Sequence, residues 1–233
     1  MPVSERRGAT RTAVVWDALR PALEGSACNV LDIGGGTGGF AVRVAELGHQ
    51  VTVVDPSPDA LAALDRRARE VGVQVTGVQG DVDGLAGLVE GADVVLCHGV
   101  LEVVDDPATA LATIRGVLRP GGTLSLLLAQ RHAAVVARAM AGHFPQALAL
   151  LDGQPSSGRS GHRFTVEEAT GLLVDAGFEV TTVHGVRVFA DLVPGSLLDL
   201  EPGATAALVE LERAVSERPE YLPLATQLHL LAR

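Results

Sequence analysis

The stretch Val30-Leu31-Asp32-Ile33-Gly34-Gly35-Gly36-Thr37-Gly38-Gly39 leaves a chain few ways to fold. Its first four residues read as a buried strand, the glycines as a turn, and Phe40 to Ala45 as a helix that the turn opens. Strand, glycine turn and helix in that order make the ligand-binding unit of open α/β sheets, with the ligand at the carboxyl end of the strand. Glycine at 34, 35 and 36 lets the backbone approach a bound molecule closely. The start of the helix adds N–H groups that have no partner within the helix.

Gly34, Gly36 and Gly39 also satisfy the G-x-G-x-x-G spacing of dinucleotide sites, so the glycines alone do not choose a ligand. Asp32 shifts the balance. A carboxylate two residues before the first glycine repels a pyrophosphate and attracts a cation such as the amino-sulfonium end of S-adenosylmethionine. An aspartate there can also cap the turn, and the two readings are compatible. Asp55 ends the next strand, His49 to Asp55, where an acidic residue bonds ribose hydroxyls in nicotinamide and adenosyl ligands alike.

Further along, Ser57 and Pro58 start a helix as cap and first-turn residue. Val73 to Val78 alternate as a third strand leading to Asp81, either an acceptor for an adenine amino group beside the apolar Val82 or a turn aspartate. Ala92 to Cys97 form a fourth strand, apolar apart from Asp93, with His98 at its end, directed to the crevice. Asp106-Pro107 opens a helix to Leu118, and Arg119-Pro120-Gly121-Gly122 turns into a fifth strand, Thr123 to Leu128. Five strands alternating with helices imply a parallel sheet covered on both faces.

The pattern then changes. From 130 to 163 the chain carries Arg131, His132, Arg138, His143 and Arg163 among small apolar residues and a Gly/Ser-rich loop, a helical insertion that could close over substrate as a lid. A solvated helix with a surface loop is the other reading. Thr165 and Glu168 form a capping box. Strand-like Phe178 to Val183 and Gly185 to Ala190, a helix from Ala204 to Glu217 and a last strand, Ala225 to Ala232, complete the chain. The expected fold is one α/β domain over 1–233, a doubly wound seven-stranded Rossmann-like sheet with an antiparallel C-terminal hairpin at its edge.

Composition excludes several functions. The chain has no lysine, which rules out Schiff-base chemistry, and a net charge of -10 opposes broad phosphate binding. Cys28 and Cys97 sit in expected strands, and with no Cys/His cluster at ligand spacing no metal site is expected. No apolar run is long enough to span a bilayer and the first residues lack the apolar core of a signal peptide, so a cytoplasmic location is expected.

The segments DIGGGTGG, VVDPS, QGDV, DVVLCHGVLEVVDDP and LRPGGTLSL resemble the ordered motifs of class I S-adenosylmethionine-dependent methyltransferases. Beyond them, HGVLEVVDDP, LRPGGTLSLLLAQRHAAVVARAMAGHF, GVRVFADLV, LVELE and ATQLHLLAR resemble the tRNA 5-carboxymethoxyuridine methyltransferases, which esterify a carboxylate on a modified wobble uridine. The resemblance implies S-adenosylmethionine as cofactor, held by Arg11, Gly34, Gly35, Asp55, Asp81, Val82 and His98, to which the residue reading adds Asp32 and Gly36. It implies a tRNA partner. A carboxylate acceptor needs cations to hold it, for which Arg131, Arg138, Arg163 and Arg187 are candidates, whereas a phenol or hydroxyl acceptor needs a base such as His98 or His132. A methyltransferase for a small metabolite and a nicotinamide-dependent oxidoreductase are the alternatives.

Overall fold

The computed structural model describes residues 12–151, 161–198 and 202–233. Seven strands, β1 (Asn29–Ile33), β2 (Gln50–Asp55), β3 (Thr76–Gln79), β4 (Ala92–His98), β5 (Leu118–Ala129), β6 (Val180–Val186) and β7 (Gln227–Ala232), form one sheet. Their order is β3-β2-β1-β4-β5-β7-β6. β1 to β5 run parallel, and β7 slots antiparallel between β5 and β6. The chain winds outward from β1 through β2 to β3, then returns to β4 on the other side of β1. That reversal opens a crevice above the carboxyl ends of β1 and β4.

Alternate residues of each strand serve two helical layers. Leu31 and Ile33 of β1 join Val95 and Cys97 of β4 in a core that includes Leu111 and Ile114 of α4 (Pro107–Val117) and Leu173 of α7 (Val166–Asp175). On the opposite face, Val30, Val94 and Leu96 pack with Trp16 and Leu19 of α1 (residues 12–19), with α2 (Ala41–Glu46) and with Leu64 of α3 (Pro58–Val71). By the same alternation Asp32 and His98 belong to the face covered by α1 and α2.

Local chemistry sets the helix starts. Ser57 caps α3 through Ala60 N–H with Pro58 in the first turn, Asp106 accepts from Ala108 and Thr109 at α4, and the Thr165–Glu168 capping box opens α7. After β5 come α5 (Arg131–Met140) and α6 (Phe144–Leu151), and a parallel bridge between Gln130 and Phe164 closes the base of the excursion. α8 (Gly195–Leu198) and α9 (Ala204–Val215) lie between β6 and β7.

Three expectations shift. The third strand is Thr76–Gln79 rather than Val73 to Val78. Arg119 to Gly122 lie within β5, the irregularity appearing as a register shift between Ala92 and Val94. The two late segments on either side of His184 are a single strand, β6, which stops at Val186 because Arg187 takes a left-handed backbone angle (φ 60°). Beyond it, the N–H groups of Val188, Phe189 and Ala190 all donate to the buried Glu212 carboxylate at 2.7–2.8 Å, leaving none for a strand partner.

Candidate active site

Two cavities meet at Gly34, above the carboxyl ends of β1, β2 and β4. The first, about 370 Å³, is lined by Thr12, Asp32, Gly34, Gly35, Phe40 and His98. The second, about 390 Å³, is lined among others by Asp55, Asp81, Val82, Gly99, Val100 and Val103. A larger open depression of about 780 Å³ lies at the amino ends of the strands around Asn29, His49 and Arg119, away from the glycine turn and the switch point.

The glycine turn is packed against its surroundings by contacts that only glycine permits. A Cβ on Gly34, whose φ is +66°, would stand 2.6 Å from Val100 Cγ2, and one on Gly35 would stand 2.5 Å from Asp32 Oδ2. Asp32 is therefore pressed against the turn, only 3% exposed, while its side chain still lines the first cavity. Asp55 is spanned by backbone donors, Gly36 N–H to Oδ2 and Ser57 N–H to Oδ1, each at 2.9 Å. It therefore fixes the turn, and each oxygen keeps a second acceptor position for a ligand hydroxyl. Asp81 accepts from Gly84 N–H at 3.2 Å, a turn contact, and also lines the second cavity. Val82 is buried there.

His98 places its ring against Phe40 edge-on, with centroids 5.0 Å apart, and its Nε2 lies 2.9 Å from Ser125 Oγ. Phe40 in turn neighbours Trp16, over which the Arg43 guanidinium stacks at 3.7 Å. Phe40 and Val100 are lining residues that sequence reasoning passed over. Phe40 was legible as a large apolar residue at the mouth of the glycine turn, whereas Val100 becomes a contact only once β4 pairs with β1. Arg11 lies outside the described residues, although its neighbour Thr12 lines the first cavity.

The cationic candidates separate into two groups. Arg131 pairs with Glu168 at 2.8 Å and donates to the Arg163 carbonyl at 3.1 Å, so it fastens the end of the insertion to α7. Arg187 pairs with Asp191, which also accepts from Thr226 Oγ1. Neither lines the two cavities, and neither does the exposed His132 on the first turn of α5. Arg163 and Arg138, the second group, do not line them either. Burial, then the nearby Arg138 charge, lower the pKa of Arg163, while Glu102 raises it. Glu102 ties the loop after β4 to the insertion, its Oε1 accepting from Ala129 N–H and its carbonyl from His162 N–H, both at 2.7 Å. Cys97, its thiol pushed up by burial and by the Glu102 and Asp32 charges, is an inert core residue.

A sheet of this order with its glycine turn at the switch point defines a class, and the comparisons agree. A family model described as a methyltransferase domain matches residues 31–126. The chain belongs to the S-adenosylmethionine-dependent methyltransferases. It is 30% identical to the tRNA 5-carboxymethoxyuridine methyltransferase of Escherichia coli K12, over 97% of this chain and 89% of that protein. It is 37% identical to the ubiquinone biosynthesis O-methyltransferase of Xanthomonas campestris, over 54% of this chain and 52% of that one. The fold is shared with the magnesium protoporphyrin IX methyltransferase of Synechocystis crystallised with S-adenosylhomocysteine, at a TM-score of 0.63 and 17% identity over 97% of this chain and 82% of the other. The cofactor is S-adenosylmethionine, and the close fit of Asp32 under Gly35 suits its cationic end.

Proposed function

We propose that the chain transfers a methyl group to a carboxylate oxygen, with 5-carboxymethoxyuridine in a tRNA anticodon as the acceptor. One observation carries the reading: the relative with that activity matches 97% of the chain, so the likeness runs through the insertion and the late strands as well as the cofactor half. When bound, S-adenosylmethionine supplies a methyl carbon already activated by its sulfonium. The protein's task is then to align donor and acceptor, which contributes roughly 7–11 kcal/mol to lowering a barrier of this type.

In this reading Asp32 and Gly35 hold the charged end of the donor, Asp55 the ribose, Asp81 and Val82 the adenine, and His98 and Gly36 the wall between them. Arg11 meets the carboxylate end. The chain works as a single domain over 1–233, with 130–163 as the lid that carries the acceptor side. Arg138 and Arg163 are the acceptor's cations. Burial and the Arg138 charge both weigh against the charge on Arg163, which an anionic acceptor would offset, and a carboxylate needs no general base. A tRNA acceptor places the reaction in the cytoplasm.

A second reading, O-methylation of a small metabolite, is favoured by the 37% match to a ubiquinone biosynthesis O-methyltransferase over 54% of the chain. Labelled methyl transfer to tRNA with and without 5-carboxymethoxyuridine separates the two. Incorporation only in the first is expected. Donor binding with incorporation in neither sample refutes the tRNA reading and leaves the small-molecule one. Arg163→Ala should raise the acceptor KM at least tenfold with donor affinity unchanged.

A further inference from the structure

We propose that Ser125 and His229 are positioning residues that set the tautomer of His98, so that its ring, at the wall of the donor cavity, carries hydrogen on Nδ1 and donates rather than accepts there. The observation is a polar row inside the sheet, on the face that α1 and α2 cover. His98 Nε2 lies 2.9 Å from Ser125 Oγ, and the same hydroxyl lies 2.8 Å from His229 Nε2. Ser125 and His229 are fully buried, and His184 stands opposite His229 in the register of β6 and β7.

Hydrogen counting decides the direction of these bonds. One hydroxyl between two ring nitrogens has one hydrogen, so it donates to one ring and must accept from the other. His229 is held neutral by burial, and by the neighbouring His98 and His184, and therefore carries hydrogen on one nitrogen only. Its Nδ1 has no hydrogen-bond partner. Hydrogen on Nδ1 would leave a buried N–H without an acceptor, a rarer and costlier arrangement than a bare lone pair. The hydrogen is thus on Nε2 and is donated to Ser125, whose hydroxyl must donate to His98 Nε2. A neutral His98 then has its hydrogen on Nδ1, the nitrogen turned away from Ser125.

His184 repeats the pattern. Its Nε2 lies 3.4 Å from Glu217 Oε1, which can only accept, and its Nδ1 likewise has no partner. The consequence for the reaction is specific. While the relay holds, His98 presents an N–H at the donor cavity and has no lone pair there with which to take a proton from an acceptor. This agrees with an acceptor that arrives ionised. The tautomer itself is a property of the protein without acceptor, so its test stands apart from the acceptor reading.

Long-range ¹H–¹⁵N spectra of the histidine rings at pH 8 decide it. In the wild type, His98 is expected with Nδ1 protonated and His229 with Nε2 protonated. His229→Glu, whose ionised carboxylate can only accept, should turn the Ser125 hydroxyl toward it and move His98 to the Nε2–H form. His229→Gln, which keeps an N–H near the position of Nε2, should preserve the wild-type pattern, and so should Ser125→Thr. S-adenosylhomocysteine should bind His229→Glu roughly tenfold more weakly, the value of one directed hydrogen bond. An Nε2–H tautomer at His98 in the wild type overturns the proposal even if a variant fails to fold. A folded His229→Glu protein that keeps Nδ1–H at His98 does so as well. Either result leaves the question of tRNA methylation where the transfer assay puts it.

Discussion

Replacing Gly35 by alanine tests the donor site at its tightest contact. A Cβ there would lie 2.5 Å from Asp32 Oδ2, 2.6 Å from Asp32 Cγ and 3.0 Å from Val53 Cγ1. These distances are about an ångström inside ordinary van der Waals contact. Gly35 does not have a positive φ, so the backbone accepts alanine and the strain falls on the carboxylate. Asp32 must swing away, and with it the charge that faces the cationic end of the donor. A hydrogen bond to a charged group contributes about 1.5–3 kcal/mol, which is roughly a 10- to 150-fold loss in affinity.

Calorimetric titration with S-adenosylmethionine measures that loss, with circular dichroism to confirm the fold. Asp32→Asn should weaken binding to a similar degree. The double variant should lose much less than the sum, because both changes act through one carboxylate. Gly36→Ala is the control: its Cβ has nothing nearer than 3.9 Å, so its φ of +55° costs about 1–2 kcal/mol of stability without a clash. A folded Gly35→Ala protein that binds the donor within twofold of wild type would refute the assignment of Asp32.

Three other substitutions probe the frame around the site. Glu212→Gln puts an amide N–H₂ where a carboxylate oxygen accepts from buried backbone; it should cost about 1–3 kcal/mol, read as a lower urea midpoint, and disturb residues 187–191. Gly161→Ala places a Cβ 1.8 Å from the Glu102 carbonyl oxygen, so it should break the His162–Glu102 contact and raise the acceptor KM while sparing donor affinity. His229, its pKa well below 6.5 in the fold, gives the third. The unfolded chain binds the extra proton below about pH 6.5, so stability is full above that pH and falls as pH drops toward the folded value, by up to about 1.4 kcal/mol per pH unit. His184 acts in the same direction. Urea midpoints between pH 5 and 8 should show the decline, and His229→Gln should flatten it.

What could be read from the sequence was what a residue does to its own neighbourhood. Ser57, Asp106 and the Thr165–Glu168 pair cap their helices through backbone two or three residues away, so the motif and the contact are the same object. The end of β6 was not legible, because the acceptor that pulls Val188 to Ala190 out of a strand is 22–24 residues distant. The ion-pair partners of the arginines were hard to read for the same reason. Arg131 found Glu168 on another helix, and only the four-residue spacing of Arg187 and Asp191 offered a hint. Ser125 and His229 each break an apolar run, LSLLLA and QLHLLA, but alternation shows only which face they take. That the two meet His98 depends on β7 entering the sheet between β5 and β6.

The acceptor side has a fastened base and an open tip, and this bears on where specificity is written. The Gln130–Phe164 bridge, the Arg131–Glu168 pair and the two contacts of Glu102 hold the start and end of the insertion against the loop that lines the donor cavity. At the tip Met140, Phe144, Leu148 and Leu151 are 60–71% exposed, a surface unlike the packed core beneath it. In the proposed reading the fastened base carries Arg163 and the exposed tip answers to the acceptor. The match to the ubiquinone enzyme covers 54% of the chain. The match to the tRNA enzyme covers 97% and so includes the proposed acceptor side. Exchanging residues 130–163 for those of a small-molecule methyltransferase should therefore change the acceptor while leaving donor affinity within a few-fold.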